Sequence, residues 1–134
     1  MGIAALYGQR SSCPRAQVGV TATREGRVVA SGYVGAPHGQ PHCDEAGCII
    51  VDNGCIRSVH AEANMIAWAA RTGTSLVDTV VWCTHAPCLS CAKLLINAGI
   101  DTFVWQYAYR DPKGLDLLIN QNLKVYHYPM VPIE

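Results

Sequence analysis

Residues 59–99 read VHAEANMIAWAARTGTSLVDTVVWCTHAPCLSCAKLLINAG. Val59, Ala63, Ile66, Ala67 and Ala70 recur at the spacing of one helical face, and Gly73 lies just past Arg71 as a stop, which predicts a helix over 60–72. LVDTVVWCT (76–84) is a short apolar run of the kind that fills a buried strand. CLSCAKLLINAG (88–99) returns to helical spacing and ends at Gly99. Helix, strand and helix in this order imply an α/β fold, in which helices cover a sheet. His60 and Glu62 open the first helix and two cysteines open the second, with HAPCLSCAK beginning 25 residues after His60.

Toward the N-terminus, QVGVTATREGRVVASGYV (17–34) reads as two strands rich in Val and Thr, joined by a turn at Glu25-Gly26. Residues 35–58 concentrate Gly, Pro, His and Cys and are long for a loop without order of its own, so something must hold them together. Toward the C-terminus, DTFVWQYAY (101–109) is a strand, a helix is expected near Lys113 to Asn120, and LKVYHY (123–128) is a short last strand. The whole is a mixed sheet with helices against it, in one domain spanning 1–134, half of whose residues are apolar.

Ten basic residues balance ten acidic ones without a long single-sign run, which argues against binding a nucleic-acid polymer through a basic face and favours a small partner. No stretch approaches the ~20 apolar residues of a membrane span. MGIAALYGQR has no long apolar leader core, and Leu6 spoils a myristoylation reading of Gly2, so a cytoplasmic protein is expected. In a reducing compartment seven cysteines point to metal ligands or catalytic groups; a secreted chain with three disulfides is the lesser alternative.

One His and two Cys can hold a zinc ion and leave a fourth tetrahedral position for water. His60, Cys88 and Cys91 fit that count, and a helix N-terminus after Pro87 favours ionised thiols. His60 and Glu62 are two apart, which a regular helix would send to different sides, so the site should lie off an irregular first turn. Glu62 can then approach the water without binding metal. Zinc can lower the pKa of a bound water to about 7, and a neighbouring carboxylate can take up and later deliver its proton. H-x-E followed by P-C-x-x-C is the signature of zinc-dependent deaminases, and HAE and PCLSC stand here in that order.

At SSCPRAQVG, SGYVGAPHG, DNGC, HAEANMI, THAPCLSCAKLLINAGI and WQYAY the chain resembles the cytidine deaminase superfamily. Within it the likeness is to the deoxycytidylate (dCMP) deaminase family in its compact bacterial and phage branch. The resemblance implies a three-layer fold with about five strands in a mixed sheet flanked by helices, conversion of dCMP to dUMP with release of ammonia, and assembly as a homo-oligomer, dimer to hexamer. It also implies that the Ala86 carbonyl meets the amino group of the base and that Tyr109 closes the pocket. Relatives have Asn where this chain has Val34, and that amide is expected to bond the sugar hydroxyl. The rivals are a deaminase of a modified cytosine nucleotide or of another base, and a non-catalytic zinc module of the same fold.

Cys13, Cys43, Cys48 and Cys55 remain, three of them in the long loop and one at the entrance to the hairpin where that loop begins. A second, structural zinc held by all four would order a segment with little apolar content, although His38 or His42 could replace one ligand. The resemblance supports such a site near Cys13 and Cys43. Cys83, inside VVWCT, reads as core. Arg15, Arg57 and Arg110 are the candidates for a substrate phosphate, because the planar guanidinium makes paired bonds.

Overall fold

In the computed structural model, which describes residues 1–129, the hairpin expected over 17–34 forms the first edge of the sheet. A short helix α1 (Gly2–Gly8) precedes β1 (Gly19–Arg24) and β2 (Arg27–Tyr33). Glu25 and Gly26 between the strands have φ of 53° and 73°, the two left-handed residues of a tight turn whose twist matches that of the strands. Beyond β2 come α2 (Cys43–Ala46) and a minute hairpin of β3 (Ile50–Val51) and β4 (Gly54–Cys55). The alternation read from 59–128 follows as α3 (Ala61–Thr72), β5 (Val80–His85), α4 (Leu89–Asn97), β6 (Thr102–Tyr107), α5 (Lys113–Asn120) and β7 (Lys124–His127).

The main sheet runs β2-β1-β5-β6-β7. β1 pairs antiparallel with β2 and with β5, while β5, β6 and β7 are parallel and are joined by the crossover helices α4 and α5. This is the mixed five-stranded sheet expected. Register assigns the helices to faces: Gly19 lies opposite Tyr33 and Val20 opposite Gly32, so Gly19 and Gly32 look out of opposite sides. A β-carbon on Gly19 would strike Ala4 and Gly8 of α1, and one on Gly32 would strike Ala61 and Met65 of α3. Helices therefore cover both faces, with α4 packed beside α3 and α5 beside α4. Phe103, Met65, Leu95, Leu118, Val20 and Val81 fill the space between sheet and helices with no exposed surface.

Three elements were not expected from sequence: α1, α2 and the β3–β4 hairpin. α1 is only seven residues long and carries Gly at both ends, so its hold comes from packing on β1 rather than from propensity. α2 starts at a one-sided cap, in which the Glu45 carboxylate accepts the His42 N–H at 3.3 Å while the Glu45 amide donates to the His42 carbonyl at 3.1 Å. β3 and β4 expose Ile50 and Val51 and have no apolar face to set their register.

Gly32 fixes how closely α3 approaches the sheet. Gly32→Ala would place a β-carbon on the Ala61 carbonyl oxygen and 2.8 Å from the Met65 nitrogen, both backbone atoms that cannot swing away. The expected cost is about 1–3 kcal/mol. It should appear as a fall of roughly 3–12 °C in the thermal midpoint, and an unchanged midpoint would rule out this contact.

Candidate active site

His60 and Cys88 are the N-cap residues of α3 and α4, with extended backbones at φ −63°, ψ 150° and φ −70°, ψ 167°. A cap residue lies half outside the helix, so its side chain is free of the helical spacing that would separate it from a neighbour two positions on. This resolves the conflict between His60 and Glu62. Glu62 lies in the first turn of α3, and Cys91 lies on α4, where its amide donates to Cys88 Sγ at 3.4 Å. Cys88 thus stands at the end of its helix rather than on it.

His60 Nδ1 lies 3.4 Å from Cys88 Sγ and 3.6 Å from Cys91 Sγ. Tetrahedral zinc, with bonds of about 2.3 Å to sulfur and about 2.0 Å to nitrogen, separates such atoms by about 3.6 Å, so the three residues fit that ion without rearrangement. Their protonation is mutual. The hydrogen bond with Cys91 pulls the Cys88 thiol down to about 4, while that same bond and burial push Cys91 up. His60 is raised by its bond to Cys88. Glu62 is 4 % exposed, and burial lifts its carboxyl to about 7. Cys83, fully buried as expected of a core residue, is also raised by burial.

A second cluster gathers Cys13, Cys43, Cys48 and Cys55, whose sulfurs lie within 4.8 Å of one another. Cys13 to Cys48 is 3.7 Å and Cys43 to Cys55 is 3.6 Å, close to the sulfur separation of about 3.8 Å around tetrahedral zinc. Burial raises Cys43 and Cys48. Burial acts the same way on Cys55, but backbone contacts from Ser58, Ile49 and Arg57 outweigh it and bring that thiol to about 6. His42 stands apart from the cluster, because its Nδ1 accepts from the Ala36 amide and meets Ser12 Oγ at 2.7 Å.

Between the two clusters is a cavity of about 600 Å³, with His60, Glu62 and Cys88 at one end and Arg15, Arg110 and Tyr109 in its wall. Val34 and Ala86, both buried, also line it. Asp52 and Asn53, with φ of 48° and 64°, turn the chain between β3 and β4. The Asn53 carbonyl accepts from Arg15 Nη2 at 3.0 Å and from Arg110 Nη1 at 3.1 Å, so two arginines 95 positions apart share one acceptor. Arg57 is elsewhere: its Nε donates to the Gly47 carbonyl at 2.8 Å and braces the cysteine loop. Of two residues missed from sequence, Asn64 supports the site from outside the cavity and His85 lines it. Asn64 donates to the Tyr33 carbonyl at 2.9 Å and ties α3 to the end of β2, and His85 closes the strand that leads to Cys88. A histidine two positions before Pro-Cys was the signal available for His85.

The sequence matches the family model described as the cytidine and deoxycytidylate deaminase zinc-binding region over residues 1–107. It is 39% identical over 105 residues to ComE operon protein 2 of Bacillus subtilis, covering 78% of this chain and 56% of that protein. It is 31% identical over 135 residues to the deoxycytidylate deaminase of Saccharomyces cerevisiae, covering 96% and 43%. The chain thus spans about half the length of these curated relatives. The dCMP deaminase of cyanophage S-TIM5, solved in complex with dCMP and dUMP, superposes with a TM-score of 0.85 at 30% identity, covering 94% of this chain and 91% of that one. Because the match takes in the hairpin, the cysteine loop, both capping residues and the strand beyond them, the chain belongs to the cytidine and deoxycytidylate deaminase family.

Proposed function

We propose that this protein, acting as a single domain, hydrolyses dCMP to dUMP and ammonia. The observation that carries the reading is the meeting of His60 Nδ1 with two cysteine sulfurs beside a buried carboxylate that is not one of the ligands. His60, Cys88 and Cys91 would hold a zinc ion, which when bound supplies Lewis acidity and lowers the pKa of a water. Glu62 moves the protons. It takes one from water, places it on the ring nitrogen and passes a second to the departing amino group, a two-way task suited to a carboxyl near 7.

The rest of the pocket suits a nucleotide. Among the described hydrogen bonds no donor reaches the Ala86 carbonyl, which leaves it for the amino group of the base. Tyr109 closes the pocket over the nucleotide, and Val34 offers the sugar an aliphatic surface without a side-chain hydrogen-bonding group of its own. Arg15 and Arg110 bind the phosphate, each with donors to spare beyond the bond to Asn53. The deoxycytidylate deaminases among the relatives, and the phage enzyme with dCMP and dUMP, support the same substrate.

The four-cysteine cluster holds a second zinc that orders the loop. Ile49, Ile50, Val51 and Ile56 are exposed around it and give a surface for self-association into a homo-oligomer. Among the described residues no helix is long and apolar enough to cross a membrane.

Three measurements test this reading. Glu62→Gln keeps the shape of the side chain and cannot shuttle protons, so ammonia release from dCMP should fall at least about 10²-fold with zinc retained. Near-normal turnover would remove Glu62 from the mechanism. Metal analysis of purified protein should give two zinc ions per chain, and Cys43→Ser or Cys48→Ser should lose one of them and lower the thermal midpoint. A count of one in folded wild type would dismiss the loop site. Arg15→Ala and Arg110→Ala should each raise KM for dCMP about 10-fold or more while leaving kcat nearly unchanged. Equal losses in kcat would place these arginines in the chemistry instead.

A further inference from the structure

His85 ends β5 in the pocket wall, half-buried and one position before Ala86. Its Nδ1 lies 2.9 Å from Thr84 Oγ1, and the same oxygen accepts the Gly19 amide at 3.2 Å. Thr84 is 5 % exposed, and its hydroxyl has a single proton to give. Among the described hydrogen bonds the one acceptor that proton meets is His85 Nδ1. A buried hydroxyl proton without an acceptor is costly, so Nδ1 is the bare nitrogen and the ring carries its proton on Nε2. Burial also lowers the pKa of His85, which keeps the ring uncharged. No protein group among the described hydrogen bonds engages Nε2. Tyr107 packs against the ring with centroids 5.3 Å apart.

We propose that His85 is a nucleotide-binding residue: the Gly19 amide and the Thr84 hydroxyl set its tautomer, and its Nε2–H donates to an uncharged oxygen of the nucleotide, on the ring or the sugar. This rests on the deaminase reading given above. The assignment to an uncharged oxygen follows from the division of labour in the pocket. Arg15 and Arg110 bring full charges to the phosphate, whereas a neutral imidazole is matched to a neutral acceptor. Deamination replaces the amino group of cytosine and leaves the ring carbonyl at position 2 and the sugar oxygens as they were. His85 therefore holds substrate and product alike, and its contribution is to binding rather than to the chemical step.

Nitrogen-15 NMR of the His85 ring in the zinc-loaded protein should find a protonated Nε2 and a bare Nδ1. Thr84→Ser should keep that state, and Thr84→Val should shift it toward the other tautomer. His85→Leu should raise KM for dCMP and the calorimetric dissociation constant of dUMP together, about tenfold, with kcat changed by less than about twofold. His85→Gln, whose amide can still donate, should recover most of that loss. Inhibition by inorganic phosphate should be the same in wild type and His85→Leu. The proposal is overturned by a wild-type ring protonated at Nδ1, by unaltered dUMP binding in His85→Leu, or by phosphate inhibition that weakens in parallel, which would give the donor to the phosphate. Failure of the deaminase reading shows separately, as zinc-loaded wild type that releases no ammonia from dCMP, and the NMR and dUMP binding then still decide the role of His85.

Discussion

Two helix N-termini meet at one point, and the rest of the molecule is arranged so that they can. α3 and α4 lie side by side on the same face of the sheet, and the cap of each contributes a ligand atom, His60 from one and Cys88 from the other. The free amides and aligned dipoles at both ends favour negative charge there. Gathering two sulfurs and a carboxylate out of water would otherwise be expensive, since each disfavours ionisation of the others. The sheet order secures the meeting: β1 lies between β2 and β5, so α3, which packs on β2 and β1, adjoins the helix that follows β5.

A different solution holds the segment between β2 and α3. It has few buried apolar side chains, and its two short strands pair through four residues. A cluster of four thiols at separations suited to a metal replaces the core that this stretch lacks. The loop is then stiff enough to serve as a pocket wall, although its composition is that of a mobile connector. Arg57 and the Glu45 carboxylate at the start of α2 add local bonds to the same end.

The parts legible in the sequence were those with a period or a chemical signature. α3, β5, α4, β6 and α5 announced themselves through apolar spacing, and α5 was placed at Lys113–Asn120, as found. His60, Glu62, Cys88 and Cys91 were legible because no packing requirement calls for that set of side chains at those spacings. What stayed hidden depends on partners distant in sequence. α1 is held by Gly19 and its neighbours, the β3–β4 hairpin by cysteines outside it, and nothing local reports either. The three arginines looked alike in sequence and differ only in what their forks reach. His85 has no visible role until Thr84 is seen to be buried against Gly19.

The carbonyl of Asn53 joins these two regions. Its donors stand in the pocket wall, and its own position is set by a turn whose next strand ends in Cys55, a member of the thiol cluster. Free energy coupled in one direction is coupled equally in the other. Whatever tightens the hairpin narrows the range of guanidinium positions, and an anion gripped by those guanidinium groups must in turn steady the hairpin. An ion bound by the thiol cluster and an anion bound between the guanidinium groups would therefore each change the affinity for the other by the same factor.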